Sequence, residues 1–151
     1  MRLPPCRLDL ERLKGYRHNQ SLLEGADLED LEAEESLAER LGISPGGAWS
    51  PKECRQRHRS LIVVPYRDRP GHLARFLRLL HPYLREQGIS YAVMVVEQAG
   101  GKAFNRAKLF NVGFAEGVKA GLAGLGTCLI FHDADLVRFA IFLNINISEV
   151  E

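Results

Sequence analysis

Two carboxylates one residue apart, Asp133 and Asp135, follow the apolar run Thr127-Cys128-Leu129-Ile130-Phe131-His132. In extended geometry alternate side chains share a side of the chain, so both carboxylates are expected to point the same way. Like charges held that close repel unless a cation or hydrogen-bond donors offset them, and a hard divalent ion with oxygen ligands is the usual solution. Standing alone, such a triplet is more often a polar turn; its place at the carboxyl end of a strand brings the metal reading level with that one. Arg67 and Arg69 leave the run Ser60-Leu61-Ile62-Val63-Val64-Pro65 with the same spacing. Guanidinium forks match a diphosphate, although an isolated Arg-x-Arg is ordinary surface charge. The two pairs together argue better than either alone: the acids hold a metal, and the metal bridges phosphates that the arginines also grip. Phe104-Asn105-Arg106-Ala107-Lys108 opens a helical stretch, where free N–H groups and the dipole favour anions and Asn105 can cap. On spacing alone Phe104 reads as a core plug and Arg106 as a solvated cation. His72 and His81 read as ordinary helix residues, and His132 is kept as a weak supporting candidate beside Asp133.

These residues need strands and helices to carry them. Ser60–Pro65 is a short run rich in β-branched residues, as in a strand buried on both faces, and Pro65 ends it. Pro70 suits a first helical turn, and Leu73, Phe76, Leu77, Leu80 and Leu84 follow with the spacing of one apolar stripe, with a kink expected at Pro82. A second strand, Tyr91–Val96, leads through Gly100-Gly101 to a helix from about Asn105 to Lys119. Its stripe is read as Ala107, Phe110, Phe114 and Val118. The third strand is Thr127–His132. The order β-α-β-α-β with helix-length crossovers predicts an α/β fold with a Rossmann-like parallel sheet and right-handed connections. Ligands of such sheets sit beyond the carboxyl ends of the strands, where both charged pairs lie.

The 151 residues, 46% hydrophobic and 26% charged, can bury one modest core. Residues 1–45 read as an acidic flank, helical from about Leu22 to Leu41 and ended by Gly42; Ser44-Pro45-Gly46-Gly47 and Ser50-Pro51 read as an irregular connector. Residues 46–137 form the functional unit, and 138–151 an apolar, β-prone tail. The net charge of +1 gives no general attraction to nucleic acid or an anionic membrane. The start has no apolar signal core, and no run reaches the ~20 apolar residues of a spanning helix. Three widely spaced cysteines, Cys6, Cys54 and Cys128, exclude a zinc ribbon or a C-x-x-C redox motif. No phosphate-binding P-loop, Gly-x-Gly-x-x-Gly or Gly-x-Ser-x-Gly run occurs.

The ordered motifs are more specific than any one of them. Gly46-Gly47-Ala48-Trp49-Ser50-Pro51-Lys52-Glu53-Cys54, Val64-Pro65-Tyr66-Arg67-Asp68-Arg69 with His72-Leu73, Leu80-His81-Pro82, Gln98-Ala99-Gly100, Phe104-Asn105-Arg106-Ala107-Lys108-Leu109 with Asn111-Val112-Gly113-Phe114, and Asp133-Ala134-Asp135-Leu136 together resemble the amino-terminal catalytic region of the β-1,4-galactosyltransferases. The resemblance covers about Gly46 to Val137. It implies part of a GT-A glycosyltransferase fold that binds UDP-galactose with a manganese ion and transfers galactose, with inversion, to a glycan acceptor such as a terminal N-acetylglucosamine. By the same resemblance Pro65, Tyr66, Arg67 and Arg69 take the uridine-diphosphate pocket, Tyr66 replacing a more usual phenylalanine. Phe104 and Arg106 border the nucleotide, Asp133 and Ala134 contact the donor, with Ala134 replacing a valine, and Asp135 is a manganese ligand.

After Val137 the likeness ends. The family's further metal ligands and its Trp-Gly-Gly-Glu-Asp segment, which holds the acceptor site and catalytic base, have no counterpart here, so a truncated chain without transfer activity is expected. The resemblance also implies that Cys54 and Cys128 pair with other cysteines, that of Cys128 lying past the last residue; Cys6 is a weak candidate for Cys54. It implies a Golgi protein whose membrane anchor belongs to a longer form. A non-catalytic module that binds a nucleotide sugar or a partner is the alternative.

Overall fold

A computed structural model of the chain describes residues 3–6, 31–56 and 58–135. The expected helix over 22–30 and the tail 138–151 lie outside the described residues. The elements run α1 (Leu31–Leu41), β1 (Ala48–Trp49), β2 (Arg59–Tyr66), α2 (Pro70–Glu86), β3 (Ser90–Glu97), α3 (Arg106–Lys119) and β4 (Thr127–Phe131). They build a four-stranded sheet in the order β1-β3-β2-β4. Strands β3 and β4 both pair parallel with β2, in registers that set Ile62 beside Val93 and Ile130. The fold is α/β as expected, with one correction. The connector before Pro51 contains β1, which pairs antiparallel with β3 at Ala48–Ala92 and Trp49–Tyr91, so the sheet is mixed. Two residues carry no readable alternation, which is why the strand is invisible in the sequence.

Strand β2 lies at the centre, and Leu61, Ile62, Val63 and Val64 are all at most 1% exposed. Alternation divides them. Ile62 and Val64 face α2, packing with Phe76, Leu80, Tyr83 and Leu84. Leu61 and Val63 face the other side, with Ala92, Ala123 and Phe110. The stripe read on α2 is the buried one: Leu73 and Leu77 are partly buried and the other three are core. The helix runs through Pro82 as one element. Helix α1 ends as a Schellman turn, with Gly42 at φ 65°, its N–H bonded to the Glu39 carbonyl and that of Ile43 to Ala38. No described helix is long and apolar enough to cross a membrane.

Helix α3 turns a different face to the sheet from the one its apolar residues predict. Phe114 and Val118 are 46% and 48% exposed, and Ala107 is exposed. The buried positions are Leu109, Gly113 and Gly117, four residues apart on one face. The glycines let the helix backbone settle directly on β2. A Cβ at Gly113 would stand 2.2 Å from Val63 Cγ1, and one at Gly117 2.5 Å from Leu61 Cδ2. Two effects of opposite sign therefore meet in Gly113→Ala. Helix propensity favours alanine by about 1 kcal/mol, whereas overpacking a rigid core costs about 1–3 kcal/mol. Val63 is β-branched and fully buried, so packing decides: a net loss of about 1–2 kcal/mol is expected in denaturant melts. A variant that melts higher than the parent would refute the close contact.

Residues near the amino terminus are tied to the core by a disulfide between Cys6 and Cys54, 48 positions apart, and by backbone pairing of Pro5 with Arg55. The pairing of Cys6 with Cys54, which the sequence supports only weakly, is therefore made. Cys128 is free and exposed on β4.

Candidate functional site

The carboxyl ends of β2, β3 and β4 open on one crevice of about 320 Å³. Pro65 and Tyr66 line it at the end of β2 and Arg67 and Arg69 just after; Phe104 and Arg106 line it after β3; Asp133, Ala134 and Asp135 line it after β4. The structure thus brings together all nine residues that the sequence marks out. Connections produce this placement: β3 lies on one side of β2 and β4 on the other, with α2 and α3 on opposite faces, so the strand exits diverge and leave a gap.

Asp68 adopts φ 50°, a left-handed conformation that aspartate tolerates, and so turns the chain between the two arginines. They part company as a result. Arg67 Nη1 donates to the Lys102 carbonyl at 2.6 Å, with its guanidinium carbon 5.4 Å from the Phe104 ring centre. Arg69 reaches across to Asp135 at 3.2 Å. Asn105 caps α3 through Oδ1, which accepts from the Lys108 N–H at 3.0 Å. Arg106, the first residue of that helix, is not merely solvated. Its Nε donates to Asp133 Oδ1 and its Nη2 lies against Oδ2, each at 2.7 Å, in a bidentate fork.

The carboxylates do not stand side by side on an extended strand. Strand β4 stops at Phe131 and the chain turns at Ala134 and Asp135, so each acid meets a different arginine. The two pairs differ in kind. Asp133, 20% exposed, has two short contacts, whereas Asp135 and Arg69, 48% and 60% exposed, share one longer contact of the sort that contributes little in water. Asp135 is therefore the acid available to another ligand. His132 is committed to structure: its N–H bonds to the Val63 carbonyl, its Nδ1 lies 2.8 Å from the Asp133 carbonyl oxygen, and its ring packs 4.9 Å from Phe76.

Among the described residues no group of three or more His, Cys, Asp or Glu side chains could hold a metal ion. Asp135 offers one exposed carboxylate, whereas a hard divalent cation takes six or more oxygen ligands, so these residues could supply only part of a metal's shell. Two residues were legible as members of motifs but not for what they do. Gln98 organises the loop before α3, and His81, far from an ordinary helix residue, is buried and bonded to Tyr91.

A mostly parallel sheet sandwiched by helices, with a charged crevice across its carboxyl edge, defines a partial glycosyltransferase domain of the GT-A-like class. Residues 10–141 match the N-terminal region of glycosyl transferase group 7, and the chain belongs to that family. It is similar to human beta-1,4-galactosyltransferase 6, 38% identical over 132 residues that cover 87% of this chain and 32% of that protein. Human beta-1,4-galactosyltransferase 4 is 46% identical over 108 residues, 72% of this chain and 30% of its own. Mouse beta-1,4-galactosyltransferase 1 is 43% identical over 95 residues, 63% and 23% respectively. The chain spans about a third or less of the length of these curated relatives.

Proposed function

We propose that this chain is the donor-binding part of a β-1,4-galactosyltransferase, a metal-dependent, inverting hexosyltransferase of the Golgi that moves galactose from UDP-galactose to a glycan acceptor such as N-acetylglucosamine. The observation that carries the reading is the convergence of Arg67, Arg69 and Arg106 with Asp133 and Asp135 on one crevice. Residues 46–137 are the donor-binding unit on this reading, inside the family match over residues 10–141. Arg67, Arg69 and Arg106 grip the diphosphate, Tyr66 and Phe104 border the nucleoside beside Pro65, and Asp133 with Ala134 faces the sugar. Asp135 would hold a manganese ion, which would supply positive charge to the leaving diphosphate. On this reading the 151 residues bind the donor.

Calorimetry with UDP and Mn²⁺ tests the assignment. Saturable UDP binding is expected, strengthened severalfold by Mn²⁺. Asp135→Ala should remove most of that increment while leaving metal-free binding at least as tight, because Arg69 is released. Manganese-stimulated binding that ignores the substitution would sink the metal assignment.

A further inference from the structure

We propose that Gln98 is the positioning residue of the crevice: its amide ties the loop of residues 99–105 to the end of the sheet and thereby sets Phe104, Arg67 and Arg106 for an anionic ligand. The ligand part rests on reading the crevice as a diphosphate site. Gln98 follows β3 directly, and its backbone N–H bonds to the Tyr66 carbonyl at 2.9 Å, which pins it to the last residue of β2. Its side chain then faces the loop. Nε2 donates to the carbonyls of Lys102 at 3.2 Å and Ala103 at 3.1 Å, while Oε1 accepts from the Asn105 N–H at 2.8 Å. Two carbonyls on one end and an N–H on the other allow the amide a single orientation.

Besides Gln98, Arg67 holds the loop, at the Lys102 carbonyl and over the Phe104 ring. Residues 101–105 are all exposed, so they gain almost nothing from apolar burial, and segments of that kind open at low free-energy cost. The Lys102 carbonyl also takes the Arg67 fork, so one peptide group is shared between Gln98 and a crevice arginine. Asn105, held by Gln98 through its N–H, caps the helix whose first residue is Arg106. A displaced loop would therefore move Phe104 and the start of α3 and free Arg67 from its carbonyl.

Amide hydrogen exchange by NMR and UDP titration on the full 151-residue chain decide this, with Gln98→Met and Gln98→Glu beside the parent. Methionine fills the space and makes none of the bonds. Loss of the Oε1 acceptor should speed Asn105 exchange about tenfold and weaken UDP about tenfold, with exchange over Leu61–Val64 unchanged. Glutamate keeps the acceptor for Asn105 and loses both donors, so Asn105 stays protected while Lys102 and Ala103 no longer hold. Unchanged Asn105 exchange in the methionine variant, or a rise shared equally by the core amides, would overturn the proposal. A parent chain that binds no UDP would remove the diphosphate reading, and Asn105 exchange would still decide Gln98: a rise upholds its hold on the loop.

Discussion

Acidifying the protein from pH 7 to pH 4 is expected to cost about 3 kcal/mol of stability at one side chain, His81. The residue lies in α2 against β3, 9% exposed, with Nδ1 2.8 Å from the Tyr91 hydroxyl. Burial lowers its pKa from 6.5 to about 4. It also raises that of the Tyr91 phenol well above the ordinary value, against a smaller opposing influence of Arg85, so the phenol keeps its proton. That single proton is best placed for Nδ1, since the alternative contact, to the His81 carbonyl, is 3.5 Å long. Neutral imidazole is thus the acceptor in the fold. Between pH 6.5 and 4 the unfolded chain binds a proton that the folded chain refuses, so stability rises with pH across that window. The contribution is complete above the unfolded value and gone below the folded one. Urea melts of the parent and of His81→Gln at pH 7 and pH 4.5 isolate the effect from that of the carboxylates. The parent should hold a clear advantage at the higher pH that shrinks steeply at the lower; parallel pH slopes would refute it.

Arg106→Ala should weaken UDP binding by about 10- to 100-fold, the scale of one lost hydrogen bond to a charged group. Two consequences act in the same direction. The fork that would donate to phosphate is gone, and Asp133, now without its bidentate partner, presents an uncompensated negative charge to the ligand. Arg106→Lys keeps the charge but not the planar pair of donors, so it should recover only part of the loss. Calorimetry reads both variants. Wild-type affinity in Arg106→Ala would remove this arginine from the site.

Much of the frame was legible because its signals are redundant. Strands β2, β3 and β4 are unbroken apolar runs, and α2 repeats one stripe from Leu73 to Leu84, so each element announces itself several times over. The crevice followed from topology, since residues that leave parallel strands at the carboxyl end must gather there. Helix α3 misled for a physical reason. Its contact with β2 depends on Gly113 and Gly117, which contribute closeness and no hydrophobicity, while Phe114 and Val118 stay exposed. The pairing of Asp133 with Arg106 and of Asp135 with Arg69 was equally hidden. Spacing says which side chains leave together, and the turn after Phe131 decides where each one goes.

That cross-pairing has an effect on what the crevice attracts. Arg69 and Arg106 already have their countercharges in place, so an anion arriving alone competes with a carboxylate at each of them. A guest that brings both signs trades partners instead, anion to guanidinium and cation to carboxylate, and total charge in the cleft stays balanced. Such barter draws little on long-range attraction, so ionic strength should matter far less here than at an open basic groove.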